Sequence, residues 1–98
     1  MTSLQDIRNS IDKIDSQIIA LIANRCSLVL SAAQFKDSPV GETGVRVPER
    51  ITSMLLSIRN QAEEKGLDPD FIEKLFSDLI EHSIGLEHEE WLSLAENK

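Results

Sequence analysis

The chain has 98 residues, of which 41% are hydrophobic, and a formal net charge of −7 from 17 Asp and Glu against 10 Lys and Arg. This length predicts a single domain over residues 1–98 with a modest core, and the acidic balance excludes the broad basic surface of a nucleic-acid binder. No uninterrupted run approaches 18 apolar residues and no signal segment opens the chain, so we expect a cytoplasmic protein that does not enter a membrane.

A heptad pattern predicts a very long first helix. Thr2 followed by Gln5 fits a capping box, and neither Gly nor Pro interrupts the chain before about Asp37. Apolar side chains recur at the spacing of one helix face. This seam contains Leu4, Ile7, Ile11, Ile14, Ile18, Leu21, Leu28, Ala32 and Phe35, and its single break is Arg25.

Arg25 is the most informative residue of this helix. A guanidinium on an inward face keeps its charge, and without an anionic partner its desolvation is very costly. Lys36 lies eleven positions on, about 20° around the helix axis and roughly 16 Å along it. The two cations therefore share a face. An ion pair between Arg25 and a carboxylate of another helix, or cations that reach out to solvent, stay open as alternatives.

Two further helices follow a loop marked by Ser38, Pro39, Gly41 and Gly44. The second begins near Pro48 and stops at Lys65 and Gly66. Its inner stripe contains Ile51, Leu55, Ile58 and Ala62. Asp68 as N-cap and Pro69 at the first position open the third helix, which continues to the region of Trp91 and Leu94. Its inward residues are Ile72, Leu75, Phe76, Leu79 and Ile80. The predicted fold is all-α.

The first helix is too long for a compact monomer. Roughly 33 residues give about 50 Å, whereas a compact globule of this size has a radius of gyration of about 12.6 Å and a diameter near 32 Å. The apolar seam continues over the overhang, which favours an intertwined dimer that covers it with a second copy. A long exposed coiled-coil arm is the alternative.

The third helix also carries polar residues inside an apolar stripe. Ser83 and Glu87 fall at helical spacing from Phe76 and Ile80. Glu87 alone could be the ion-pair partner of Arg25. However, Arg25, Lys36 and Arg50 together outnumber this one carboxylate, which indicates a small polyanionic ligand. Cys26, His82 and His88 form no recognisable nucleophile or metal pattern, so we predict no metal site and interpret these three as structural or surface residues.

At this point the residues resemble a known family. The order Ile7-Arg8, Ile11-Asp12, Asp15, Arg25, Ala32-Ala33-Gln34-Phe35-Lys36, Pro48-Glu49-Arg50, Gly66-Leu67-Asp68 and a polar residue at 87 is similar to the all-helical chorismate mutases and the related isochorismate pyruvate lyases. The resemblance covers essentially the whole chain. It implies an entwined helical homodimer with two shared active sites, no metal and no cofactor. The implied substrate is the dicarboxylate chorismate or isochorismate.

The resemblance implies a role for each cation. Arg25 looks like the arginine that binds a substrate carboxylate within its own subunit, and Arg8 like the arginine that the partner chain contributes. The helix geometry agrees, because Arg8 lies about 100° around and roughly 25 Å along the first helix from Arg25. Lys36 resembles the lysine that contacts both a carboxylate and the ether oxygen of the breaking bond. Arg50 resembles the arginine that closes over the substrate.

The remaining site positions distinguish the possible reactions. Ser83 and Glu87 fall where the family has a serine and a glutamine, the latter directed at the ether oxygen. Ile51 stands where typical mutases carry an acidic residue for the substrate's ring hydroxyl, and with Trp91 it is more similar to the lyase. The resemblance favours chorismate mutase, with isochorismate pyruvate lyase as the alternative. An amino-chorismate mutase and a non-catalytic helical binding or regulatory domain also stay open.

Overall fold

The described part of the chain forms three α-helices and one short 3-10 turn. A computed structural model describes residues 2–36 and 46–96. Its elements are α1 Leu4–Ala32, the 3-10 turn Ala33–Phe35, α2 Pro48–Glu64 and α3 Pro69–Glu96. This part of the chain contains no strand, which confirms the all-α prediction with a long first helix. The predicted loop residues Ser38, Pro39, Gly41 and Gly44 lie outside the described residues.

The N-terminus of α1 is capped one residue later than predicted. Ser3, not Thr2, is the N-cap: its hydroxyl accepts from the Asp6 N–H and the Asp6 carboxylate accepts from the Ser3 N–H, both at 3.1 Å. Gln5 instead donates to Asn9 Oδ1 at 2.9 Å. The capping box through Gln5 is therefore wrong. The carboxylate of Asp6 fits better because it also complements the positive end of the helix dipole.

The other end of α1 stops short of the predicted boundary near Asp37, which itself lies outside the described residues. The α-helix ends at Ala32, the 3-10 turn tightens the chain, and Lys36 is extended, with φ −96° and ψ 132°. The indole N–H of Trp91 donates to the Lys36 carbonyl at 2.9 Å. This contact with α3 takes the carbonyl that a continuing helix would use, so Arg25 and Lys36 do not lie on one continuous α-helix.

The turn between α2 and α3 follows the sequence signals. Gly66 has φ 73°, a left-handed conformation that only glycine adopts at low cost. The Leu67 N–H donates to the Ala62 carbonyl at 2.8 Å and closes the helix end. Asp68 Oδ1 accepts from the Asp70 N–H at 3.0 Å, as expected of an N-cap before Pro69. The predicted start of α3 is confirmed.

Packing centres on α3, which contacts both other helices, whereas α1 and α2 do not pack against each other within the described residues. The chain extends over 60 × 28 × 15 Å with a Cα radius of gyration of 17.1 Å, well above the value of about 12.6 Å for a compact globule of this size. The buried apolar residues are few: Ala33, Ala62 and Ile80. Leu75 was predicted to face inward, but it is 46% exposed because it borders a groove between α1 and α3.

The apolar seam of α1 is exposed along its whole length. No residue of α1 is buried, and Phe35 beyond it is 82% exposed. Next to the seam, Ile18 and Leu21 of α1 and Phe76 and Leu79 of α3 border an apolar groove of about 590 Å³. By length and composition alone, the segment Leu4–Phe35 also passes for a membrane span, since an 18-residue window within it has a mean hydropathy of 1.6. A core helix has the same composition, so this property alone is weak support for a membrane span.

Candidate active site

A cavity of about 340 Å³ lies between the C-terminal part of α1, the start of α2 and the middle of α3. It contains five of the seven residues that the sequence predicted for the site: Arg25, Lys36, Arg50, Ile51 and Glu87. The rest of its lining is apolar and consists of Leu28, Val29, Ala32, Val47, Met54, Ile80 and Ile84. A small ligand with an apolar body and anionic groups would match this lining.

Helical spacing explains how these residues meet. On α1, Val29 and Ala32 follow Arg25 after four and seven residues, which places them on the same face. Met54 follows Arg50 by one turn of α2, and Glu87 follows Ile80 by two turns of α3. Lys36 reaches the cavity from the extended segment after the 3-10 turn. The site therefore depends on three helices and on the position where α1 ends.

Arg25 and Glu87 do not form the ion pair with each other that the sequence left open as an alternative. Arg25 Nη1 donates to the hydroxyl of Ser83, which is buried against α1. Glu87 is only 8% exposed, and its Oε1 lies 3.5 Å from Lys36 Nζ. That oxygen accepts no hydrogen bond within the described part of the chain. An Arg25–Glu87 pair is absent from these residues, and the cation beside Glu87 is Lys36.

The charges that the described residues bring to the cavity do not balance. Among these residues, Arg25, Lys36 and Arg50 contribute three positive charges to the lining, and Glu87 is the one acidic residue there. The Arg50 side chain is exposed and makes no hydrogen bond or ion pair with the rest of the described chain. Two guanidinium groups can each bind a carboxylate through two parallel hydrogen bonds. A dianion of small size is the ligand that this arrangement fits best.

Arg8 does not belong to this cavity within one chain. It is exposed on the first turns of α1, seventeen residues before Arg25, which corresponds to roughly 25 Å along the axis. Six of the seven predicted site residues therefore meet at or beside the cavity, with Ser83 held against Arg25. The contribution of Arg8 to a shared site stays a prediction.

The comparison with known proteins agrees with this arrangement. Residues 7–88 match the family profile of chorismate mutase type II. The chain belongs to this family. The match includes all the cavity residues named above, which confirms the family resemblance inferred from the sequence.

Curated relatives carry two different catalytic names. An isochorismate pyruvate lyase of Pseudomonas aeruginosa is 39% identical over 92% of this chain and 86% of its own length. A chorismate mutase of Methanocaldococcus jannaschii is 35% identical over 97% of this chain and 93% of its own. A T-protein of Enterobacter agglomerans is 35% identical over 91% of this chain, which spans only 23% of that longer protein. The family and these relatives indicate an enzyme.

The sequence did not single out several residues that shape the mutase-like cavity. Val29, Met54 and Ile84 form its apolar wall, and each lies one turn from a predicted polar residue or from Ile80, so helical spacing could have identified them. The sequence placed Trp91 on the third helix and related it to the lyase, but did not predict that its indole N–H binds the Lys36 carbonyl. Long-range contacts of this kind leave no periodic signal in the sequence.

Three ion pairs outside the cavity lining join α2 and the residues just before it to α3. Arg46, just before α2, donates to both carboxylate oxygens of Glu81 on α3, at 2.9 and 2.5 Å, and this contact lowers the pKa of Glu81 from its ordinary value. Arg59 near the other end of α2 donates to Asp70 at 2.8 Å and to Glu73 at 2.7 Å, which raises the pKa of Arg59. Within the described residues no group of three or more His, Cys, Asp or Glu side chains is arranged to hold a metal.

Proposed function

We propose that this protein is a chorismate mutase, which rearranges chorismate to prephenate in the cavity between α1, α2 and α3. The observation that supports it most directly is that Arg25, Lys36 and Arg50 converge on a cavity of about 340 Å³, where Glu87 is the one acid among the described lining residues. Membership of the chorismate mutase type II family and the similarity to a chorismate mutase over nearly the whole chain support the proposal.

The proposed mechanism requires a cavity of the right shape and positive charges held in fixed positions. Arg25 binds one substrate carboxylate with its guanidinium fork, and Arg50 closes over the substrate from the start of α2. The apolar wall of Val29, Met54 and Ile84 confines the substrate to its compact reactive form, which removes much of the entropic part of the barrier. The ether C–O bond breaks while a C–C bond forms, so no proton transfer or nucleophile is required.

In this proposal Lys36 and Glu87 act on the ether oxygen. Negative charge develops on this oxygen as the C–O bond lengthens, and preorganised donors that face it lower the barrier. The Lys36 ammonium and the buried Glu87 carboxyl group lie 3.5 Å apart in the cavity lining. The Glu87 oxygen nearest to Lys36 accepts no hydrogen bond from the described residues, so it can contact a bound substrate directly.

This role of Glu87 predicts that an amide can replace its carboxyl group. Glu87→Gln, a permanent hydrogen-bond donor of similar shape, should keep or improve kcat/KM, whereas Glu87→Ala should lower it because it removes the side chain that faces Lys36. The measurement is kcat/KM of the wild type and both variants at one pH, with circular dichroism to check that each protein is folded. An unchanged kcat/KM in Glu87→Ala would remove Glu87 from the catalytic residues.

Isochorismate pyruvate lyase is the second candidate, and a specific residue favours it. Ile51 lines the cavity where typical mutases of the resembled family carry an acid for the ring hydroxyl. The similarity to the Pseudomonas aeruginosa lyase points the same way. The proposed contact between Ile51 and the substrate ring therefore bears directly on the choice between the two reactions.

The decisive experiment supplies chorismate and isochorismate separately to the purified protein. Prephenate formed from chorismate would support the mutase, whereas pyruvate and salicylate formed from isochorismate would support the lyase. Amino-chorismate serves as a third substrate, since it would keep both carboxylates for Arg25 and Arg50. A correctly folded protein that turns over none of the three would contradict the enzymatic proposal and favour a regulatory binding domain.

We further propose that the active form is a cytoplasmic homodimer with shared sites. The seam of α1 and the apolar groove beside it are exposed to solvent. A second antiparallel or entwined copy would bury both, because it carries a matching apolar surface of equal length. A second copy could also place its Arg8 at the cavity. The Arg8 of the chain that forms the cavity cannot reach it, because it lies roughly 25 Å along α1 from Arg25. Burial against a second copy would explain why α1 is so apolar, and no membrane is needed to account for it.

A further inference from the structure

The start of α2 is poorly secured by the helix itself. Val47, its N-cap, offers no side-chain hydrogen bond to the free N–H groups of the first turn, and a β-branched apolar residue cannot do so. Pro48, at the first position of the helix, presets one backbone angle and has no N–H of its own to satisfy. Helix ends without such contacts open locally at low free energy. An anchor is therefore needed where the cavity requires a fixed wall.

All the cavity residues that α2 provides lie at this weakly capped end. Val47, Arg50, Ile51 and Met54 fall within the first two turns of the helix or directly before them. Among the described residues, the contact between Arg46 and Glu81 is the one side-chain hydrogen bond or ion pair that joins this end of α2 to α3. It is bidentate, which fixes orientation as well as distance.

Glu81 is well placed to act as the anchor. It directly follows Ile80 on α3, and Arg46 directly precedes Val47, so the ion pair joins two segments that each contribute a residue to the cavity lining. We propose that the Arg46–Glu81 ion pair is a positioning contact that holds the start of α2 against α3 and thereby places Arg50 over the bound substrate. This inference deepens the proposed function and rests on it for the role of Arg50.

The chain offers a matched control at the opposite end of α2. Arg59 also joins α2 to α3 by ion pairs, with Asp70 and Glu73, but it lies beyond the cavity lining. Arg59→Gln therefore removes a comparable helix-to-helix contact without touching the end that carries Arg50. A general loss of stability would affect both variants alike, whereas a positioning role affects only the Arg46 end.

The test compares Glu81→Gln, Arg46→Gln, the double variant and Arg59→Gln in the full-length protein. Each single change at the anchor should raise KM about two- to fivefold, the range of exposed ion pairs, and leave kcat largely unchanged. The double variant should show no larger rise than either single variant, because both remove the same contact. Arg59→Gln should leave KM unchanged.

A second measurement does not require turnover. Amide hydrogen exchange of residues 47–54 should accelerate in Glu81→Gln and Arg46→Gln, but not in Arg59→Gln. Unchanged exchange and unchanged KM in both anchor variants, or equal changes in Arg59→Gln, would overturn the positioning role. If the wild type converts none of the offered substrates, the proposed function fails, and faster exchange confined to residues 47–54 would still establish the anchor.

Discussion

Arg25→Lys is expected to lose nearly as much activity as Arg25→Ala. An ammonium keeps the charge but cannot reproduce the two parallel hydrogen bonds of a guanidinium to a carboxylate. Loss of one preorganised donor typically costs about 2.7 to 4 kcal/mol, or roughly 10² to 10³ in rate. The measurement is kcat/KM of both variants on the substrate that the wild type converts, with the thermal unfolding midpoint of each.

The protein should still fold without the Arg25 guanidinium, because the partner of Arg25 is the Ser83 hydroxyl and not a carboxylate. Ser83 is neutral, so truncation of Arg25 leaves a buried hydroxyl at a cost of about 1 to 3 kcal/mol. Removal of one member of a buried ion pair would cost about 3 to 5 kcal/mol. Arg59→Lys is the matched control, since it makes the same exchange outside the cavity and should keep full activity. An active Arg25→Lys, or an unfolded Arg25→Ala, would refute the ligand-binding role.

Local sequence signals predicted the three helices well. The errors concern the two ends of α1, where one contact decides at which of several suitable residues the helix begins or ends. The left-handed turn at Gly66 and the cap at Asp68 were both predicted, because glycine and Asp-Pro act through local backbone geometry. The cap of α1 was misplaced, since Thr2 and Ser3 are equally good N-caps and only the Asp6 carboxylate reaches back. Tertiary contact with Trp91 accompanies the early end of α1, and periodicity does not encode that contact.

The members of the site were predictable, but their pairing was not. Charged residues at inward positions of an amphipathic helix are unusual enough to identify Arg25 and Glu87 from the sequence alone. Which polar side chains of α1 and α3 come into contact depends on how far α3 is rotated and translated against α1. In the structure this rotation brings Ser83 to Arg25 and Glu87 to Lys36. The anchor between Arg46 and Glu81 was missed for the same reason, because its two residues are 35 positions apart.

The position of Arg8 leads to the strongest test of assembly. Arg25 and Lys36 line the cavity of one chain, whereas Arg8 lies roughly 25 Å from Arg25 along the same helix. If the sites are shared, Arg8→Ala and Arg25→Ala each inactivate both sites of their own homodimer. In a mixed dimer, one cavity receives wild-type Arg25 from one chain and wild-type Arg8 from the other. That site should work, and the second should not.

Unfolding and refolding an equal mixture of the two inactive variants should therefore restore roughly a quarter of wild-type activity, since half of the dimers are mixed and each has one intact site. The matched control mixes Arg25→Ala with Lys36→Ala. Both residues belong to the same chain's cavity, so every site in that mixture keeps one defect and no activity should return. Recovery in the control, or failure of verified mixed dimers of the first pair to regain activity, would contradict a site completed by the partner's arginine. Recovery in the first mixture alone would place Arg8 at the partner's cavity and would explain why α1 is longer than the diameter of a compact globule of this size.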